Sequence, residues 1–180
     1  MQPSKQLSNA LAALADGDRY LFTLSDLKCV LPEHSQEAFK ALLSRSVRTG
    51  ILQRVCYGLY LFPPAVKDTG SILFHAAAKL RAHCFNYLSL ETVLSDAGII
   101  SQIPMNWITL RSSCRSQVID CGEFGHIEFI HTKKKPSDVA KFLVYDPRCR
   151  LWRASVDLAI RDMRATGRNT DLMEPPDEPV

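Results

Sequence analysis

Residues 44–63 decide the fold, and they read SRSVRTGILQRVCYGLYLFP. The apolar positions that lead up to Gly50 are three and four residues apart, a spacing typical of a helix that buries one face. Two short apolar runs follow, residues 51–55 and residues 59–62, separated by the tripeptide CYG. The glycine of that tripeptide can take the positive φ of a tight turn. The stretch therefore predicts a helix followed directly by a β-hairpin.

The helix before the hairpin is predicted to begin at Ser35, a favourable N-cap, with Glu37 in its first turn. Its predicted buried stripe comprises Ala38, Phe39, Leu42, Leu43, Val47 and Ile51. Upstream, residues 6–15 predict a first helix with Leu7, Leu11 and Leu14 on one face, and the run YLFT predicts a short strand. Ser25 is the predicted N-cap of a second helix, which Pro32 ends.

The resulting order is helix, strand, helix, turn, helix, hairpin, which predicts a winged helix-turn-helix over residues 1–64. In that fold the third helix lies in the DNA major groove, about 12 Å wide, and the hairpin reaches the adjacent backbone or the minor groove. Between residues 38 and 62 the chain carries Lys40, Arg45, Arg48 and Arg54 but no Asp or Glu. A stretch without acids suits phosphate binding.

The predicted DNA-binding residues are the polar helix face and the hairpin: Gln36, Lys40, Ser44, Arg45, Arg48, Arg54 and Tyr57. Gln36 and Lys40, near the helix N-terminus, are predicted to contact bases, whereas Arg45 and Arg48 are placed to bind phosphates. For any single residue here, the polar face of an ordinary surface helix is the alternative interpretation.

The rest of the chain predicts a small mixed α+β domain over residues 69–168 and a disordered acidic tail over residues 169–180, so the fold class is α+β. Its predicted helices are residues 71–83, 89–97 and 155–165, and its predicted strands are 106–111, 117–121, 123–132 and 142–145. On the last helix, Val156, Ile160 and Met163 are predicted to point inward, with Asp157 and Asp162 on the surface. Lys133, Lys134 and Lys135 form a candidate second basic patch for nucleic acid or an acidic partner, or a solvated loop tip.

Two stretches carry a resemblance to a known family. The run GILQRVCYGLY at residues 50–60 resembles the N-terminal winged helix of the AbiEi family of bacterial antitoxins, and the phrase YLSLE with the later TLR and EFGHIEFIHTKK is similar to its downstream region. The likeness covers residues 20–135. It implies an antitoxin that represses its own operon by binding inverted repeats in the promoter and that antagonises an AbiEii-like nucleotidyltransferase toxin, directly or indirectly. Paired half-sites need two copies of the winged helix, so a dimer on DNA is expected.

No residue pattern predicts catalysis, a metal site or a cofactor. Cys114, Cys121, His126 and His131 are separated by six, four and four residues, whereas structural zinc sites bring paired ligands closer together. His75 and His83, with Cys84 beside the latter, are interpreted as packed or surface side chains. A nuclease would need Asp120, Glu123 and Glu128 to converge, and the sequence does not place them.

Composition is that of an ordinary globular chain: 180 residues with a net charge of +3. No apolar run approaches the ~20 residues of a membrane span and the N-terminus does not resemble a signal peptide, so a cytoplasmic location is expected. The six cysteines are accordingly expected to be reduced and mostly buried. Three rivals to the antitoxin remain: a one-component regulator with a ligand-binding C-terminal domain, a nuclease, and a winged helix that binds protein.

Overall fold

A computed structural model describes residues 2–101 and 106–171. These residues form helices and two β-sheets, which confirms the predicted α+β class. The chain divides between Ile72 and Leu73 into two compact units, named here the N-terminal unit and the C-terminal unit. No helix within the described ranges is long and apolar enough to cross a membrane. The predicted acidic tail lies outside the described residues from position 172 onward.

The N-terminal unit contains three helices and a three-stranded antiparallel sheet. Its elements are α1 (Pro3–Leu14), β1 (Leu21–Thr23), α2 (Leu24–Val30), α3 (Gln36–Arg48), β2 (Gln53–Cys56) and β3 (Leu59–Leu61), followed by 3₁₀ turns at Pro63–Ala65 and Thr69–Ser71. Strand β3 lies between β1 and β2, and Leu61 pairs with Leu21 on one side and with Gln53 on the other. The strand before α2 is thus joined to the hairpin after α3.

One apolar cluster holds this unit together. Its buried members are Leu7, Leu11, Phe22, Leu27, Leu31, Phe39, Leu42, Leu43, Leu52 and Phe62. Two residues that were predicted to be buried are exposed. Leu14, the last residue of α1, is 45% exposed, and Ala38 is exposed in the first turn of α3.

The N-cap of α2 is Thr23 rather than the predicted Ser25. The Thr23 hydroxyl accepts the Asp26 N–H at 3.2 Å, and the Asp26 carboxylate accepts the Thr23 N–H at 2.8 Å. This reciprocal pair is a capping box. It places the first helical residue directly after β1, with no intervening loop.

The C-terminal unit is built on a mixed six-stranded sheet. Its elements are α4 (Ile72–Leu80), β4 (Asn86–Leu88), α5 (Glu91–Asp96), β5 (Trp107–Ser112), β6 (Gln117–Asp120), β7 (His126–His131), α6 (Pro136–Val139), β8 (Leu143–Asp146), β9 (Leu151–Ala154) and α7 (Val156–Ala165), with 3₁₀ turns at Gly122–Phe124 and Ala140–Phe142. The strand order is β6-β7-β5-β4-β9-β8, and the β5/β7 and β4/β9 pairs are parallel. Helix α7 packs against α5 and β9.

Two central strands and a short helix escaped prediction. Strand β4 has only three residues, all buried, so it shows no apolar–polar alternation. The predicted helix at 89–97 accordingly begins later, at Glu91. Strand β9 was missed beside β8, and α6 replaces part of the loop predicted around Pro136.

The expectation that all six cysteines are reduced is wrong for one pair. Cys84 and Cys114 form a disulfide, with their Cα atoms 5.9 Å apart. The other four form no disulfide, and of these only Cys29 is exposed. Burial, with the Asp146 carboxylate beside it, raises the pKa of the Cys149 thiol to about 11. That thiol is therefore protonated and unreactive at neutral pH.

Candidate nucleic-acid interface

Helix α3 is fixed at both ends by local hydrogen bonds. The Ser35 hydroxyl accepts the Ala38 N–H at 3.2 Å, so the predicted N-cap is confirmed. At the other end the Thr49 N–H donates to the Arg45 carbonyl at 2.9 Å, and Gly50 takes a φ of +76°. Glycine adopts this left-handed conformation without the steric cost that a Cβ would bring. The 13-residue helix is about 20 Å long, longer than the ~12 Å width of the major groove.

One face of α3 is buried and the other is solvent-exposed. Phe39, Leu42, Leu43 and Ser46 are buried. The five polar residues predicted for DNA binding are all exposed: Gln36, Lys40, Ser44, Arg45 and Arg48. The structure therefore leaves these side chains accessible to a partner along the length of the helix.

The β2–β3 hairpin carries the other two predicted residues. Tyr57, in the turn, is 84% exposed, an unusual position for a large aromatic side chain. The Arg54 guanidinium lies 5.8 Å from the Tyr57 ring centroid, and Arg54 Nε donates to the Cys56 carbonyl at 3.3 Å. Gly58 has a φ of +77°, and its carbonyl accepts the Leu24 N–H at 3.1 Å. That bond connects the hairpin turn to the start of α2.

The cations of α3 and the hairpin form no ion pair with a carboxylate among the described residues. Within residues 2–101 and 106–171, no carboxylate forms an ion pair with Lys40, Arg45, Arg48 or Arg54. The segment from 38 to 62 contains no acid, as the sequence shows. Residues 38–62 therefore present a cationic surface, and the single acid of α3, Glu37, lies in its first turn.

A cleft of about 840 Å³ opens between α2 and the N-terminal half of α3. Gln36 and Lys40 belong to its lining, together with Lys28 and Phe39. Lys28 Nζ lies 5.3 Å from the Phe39 ring centroid and donates to the His34 carbonyl. The N-terminal half of α3 thus faces open space, which a partner could enter.

The three-lysine run of the C-terminal unit is divided by the fold. Lys134 Nζ lies 2.8 Å from Asp162 Oδ1, and Asp162 is fully buried. Lys133 and Lys135 are exposed. Lys134 is half-buried and its charge is paired with Asp162, so Lys133 and Lys135 are the fully exposed lysines of the predicted patch.

The prediction that Asp162 lies on the surface is wrong, because this residue is fully buried. It is the main buried polar residue that the sequence did not predict. Its carboxylate accepts hydrogen bonds from Tyr87 at 3.0 Å and Ser89 at 2.8 Å, and Arg111 Nε lies 3.7 Å away. Burial and the Asp162 charge raise the pKa of Tyr87 well above its ordinary value.

A signal for this buried carboxylate was present in the sequence. Leu158, Ala159, Asp162 and Met163 form the buried face of α7 at a helical spacing. The predicted inward residues Val156 and Ile160 are only half-buried. The buried face of α7 therefore differs from the predicted one, because it includes Asp162 instead of Val156 and Ile160.

The carboxylates that a nuclease would need do not converge. Glu128 accepts from Trp107 Nε1 at 3.1 Å and pairs with Arg168, whereas Asp120 lies 3.7 Å from His126. Among the described residues, Cys114, Cys121, His126 and His131, whose spacing does not predict a metal site, do not form a metal-type cluster.

Sequence comparison with known proteins does not assign this chain to a family. No protein-family model matches the chain, and no curated protein shows significant sequence similarity to it.

Proposed function

We propose that the N-terminal unit is a winged helix that binds promoter DNA, with α3 in the major groove and the β2–β3 hairpin as the wing. The observation that carries the proposal is the exposed cationic surface of α3 and the hairpin, formed within residues 38–62, a segment without Asp or Glu. The order of helices and the three-stranded sheet are those that such a domain requires. Salt-dependent affinity follows, since each phosphate contact releases counterions.

The proposed DNA-binding residues fall into two groups, those assigned to base edges and those assigned to the DNA backbone. Gln36 and Lys40 begin α3, and we assign them to base edges, because recognition helices contact bases with their N-terminal residues. We assign Arg45, Arg48 and Arg54 to phosphates, Ser44 to either, and Tyr57 at the hairpin turn to the adjacent backbone or groove.

The test measures fluorescence anisotropy of a labelled duplex from the chain's own upstream region, against a scrambled duplex, over a range of salt concentrations. Arg48→Ala is expected to weaken binding to both duplexes and to reduce the logarithmic salt slope by about 0.9, because one phosphate contact is lost. Gln36→Ala is expected to cost about 1–3 kcal/mol on the specific duplex alone.

Lys5→Ala is the matched control, since Lys5 is an exposed cation of α1 outside the proposed surface. Its affinity and slope should equal those of the wild-type chain. Absence of binding to either duplex would refute the DNA assignment and favour a winged helix that binds protein.

We further propose that the chain is an antitoxin that represses its own operon and antagonises a nucleotidyltransferase-like toxin. This part rests on the resemblance of residues 20–135 to the AbiEi family. The test expresses the adjacent gene, expected to encode the toxin, from a separate promoter. Growth should be restored by the wild-type chain and also by Arg48→Ala, because antagonism does not require operator binding. If expression of the adjacent gene were not toxic, the antitoxin proposal would be refuted, whereas the DNA-binding proposal would stand.

A one-component regulator with a C-terminal ligand site is less well supported. One cleft among the described residues of the C-terminal unit, beside Arg81, Tyr145 and Trp152, measures about 210 Å³. Ligand pockets usually measure about 300–1,000 Å³.

A further inference from the structure

Cys84 and Cys114 meet because β4 pairs with β5. Cys84 lies two residues before β4 and Cys114 two residues after β5, and Asn86 pairs with Ser112 at that end of the ladder. Phe85 N–H donates to Ser113 Oγ at 3.0 Å, and the Ser113 N–H donates to the Phe85 carbonyl at 2.9 Å. The backbone therefore holds the two cysteines together independently of the bond between their sulfurs.

A third group adjoins this pair. A ring nitrogen of His83 and the sulfurs of Cys84 and Cys114 all lie within 4.8 Å of one another. His83 is exposed and the two cysteines are half-buried, so an ion could enter from solvent. No other set of three metal-type ligands comes this close within the described parts of the chain.

We propose that, when the disulfide is reduced, Cys84, Cys114 and His83 bind Zn²⁺ through two thiolates and one imidazole, with water as the fourth ligand. Thiolate and imidazole are the ligands that zinc prefers, in tetrahedral geometry with Zn–S about 2.3 Å. Two thiolates on one such ion lie about 3.8 Å apart, so rotation of the side chains suffices to form the site.

Formation of the zinc site from the disulfide needs an external reductant. An external dithiol gives the disulfide two electrons and two protons and itself becomes a disulfide. Zinc then displaces the two thiol protons, which pass to solvent. The disulfide and the zinc site are alternative states of the same cysteine pair.

The surroundings tolerate the ion because the site is neutral. Two thiolates balance the double charge of zinc, so binding adds no net charge beside the buried Arg81. Arg81 donates to Ser112 Oγ at 3.1 Å and to the Arg115 carbonyl at 2.7 Å, and Ser112 Oγ accepts the Cys114 N–H at 3.2 Å. These bonds anchor the Cys114 loop in both states.

The experiment titrates the reduced full-length chain with Co²⁺ and then displaces the cobalt with Zn²⁺. One equivalent should bind, with the visible spectrum of a tetrahedral site and a thiolate-to-cobalt charge-transfer band. Cys84→Ser and Cys114→Ser should each halve that band, whereas His83→Asn should keep it and alter the visible bands. Loss of any ligand should weaken zinc binding by at least about tenfold, since even outer-shell changes cost about 10–100-fold.

Cys29→Ser is the matched control, since Cys29 is the exposed free cysteine, and its titration should match the wild type. The chain in which the Cys84–Cys114 disulfide is formed should not bind one equivalent of cobalt. A measurement on the wild type avoids any folding defect: zinc should protect two of the six thiols from alkylation, and peptide mapping should identify them as Cys84 and Cys114. Zinc-dependent protection of other cysteines, measured against the zinc-free reduced chain, or no stoichiometric binding, would overturn the proposal. Since no DNA is used, that outcome leaves the DNA assignment untouched.

Discussion

The two units use charged side chains in opposite ways. In the N-terminal unit the core is an apolar cluster, and the cations of α3 and the hairpin are exposed and have no carboxylate partner within the described part of the chain. In the C-terminal unit Arg111 and Asp162 are buried, and Lys134 and Arg168 are tied to carboxylates. A cation that is already paired inside the fold contributes little to binding a polyanion. The comparison therefore shows why the proposed DNA contact is assigned to the N-terminal unit, where four cations of one surface lack a carboxylate partner among the described residues.

The largest expected effect comes from the buried charge of the C-terminal unit. Asp162→Asn should destabilise it by about 3–5 kcal/mol, because Arg111 and Lys134 are left without their buried partner. Urea unfolding followed by tryptophan fluorescence measures this unit selectively, since both tryptophans, Trp107 and Trp152, lie in it. DNA affinity should not change under conditions in which both units are folded.

Asp157→Asn is the control for that change, because Asp157 is an exposed carboxylate in the first turn of the same helix. It should cost less than about 1 kcal/mol, the usual contribution of a charge near a helix N-terminus. Equal effects of the two variants would contradict the claim that buried charge stabilises this unit.

A smaller effect is expected at Arg168, which joins two elements of the same unit. Its guanidinium pairs with Glu91 at 2.5 Å and with Glu128, and the side chains of all three are less than one quarter exposed. Arg168→Ala should cost about 2 kcal/mol, because two carboxylates lose a charged donor. Arg164→Ala, an exposed arginine of α7, serves as control and should lie within about 0.5 kcal/mol of wild type in the same fluorescence measurement.

In the N-terminal unit the corresponding local test is the cap of α3. Ser35→Ala should cost about 1 kcal/mol, because the Ala38 N–H loses its acceptor. Circular dichroism should detect the change, whereas tryptophan fluorescence should not, because this unit contains no tryptophan. Ser44→Ala makes the same chemical change at an exposed position inside the helix and should be neutral or slightly stabilising, since alanine is the better helix former. A fluorescence shift with Ser35→Ala would show that the two units do not unfold independently.

The difference between the units also explains what the sequence could predict. Around α3 the pattern is local: the Ser35 cap, the apolar spacing and Gly50 lie within about 15 residues, so the helix and its exposed face were predicted correctly. The three-residue strand β4 pairs with β9, where Tyr87 lies opposite Trp152, 65 positions away, and Asp162 accepts from Tyr87, 75 positions away. Sequence spacing carries no information on such pairings, and a charged residue suggests the surface by default.

The smallest expected effect is at the turn that joins α1 to β1. Asp16 accepts from the side chain of Arg19 at 2.8 Å and from the backbone N–H groups of Asp18 and Arg19, and these bonds lower its pKa from 3.8 to about 2. A carboxylate with a lowered pKa stabilises the fold above pH ~4, and the contribution is lost as the pH falls from about 4 to about 2. Asp16→Asn should therefore lower the melting temperature slightly at pH 7, and the difference from wild type should shrink towards pH 2. Because the group is fully exposed, the difference should also fall with added salt. A difference that grew with acidification, or a carboxyl titration near pH 4 by NMR, would contradict this account of the turn.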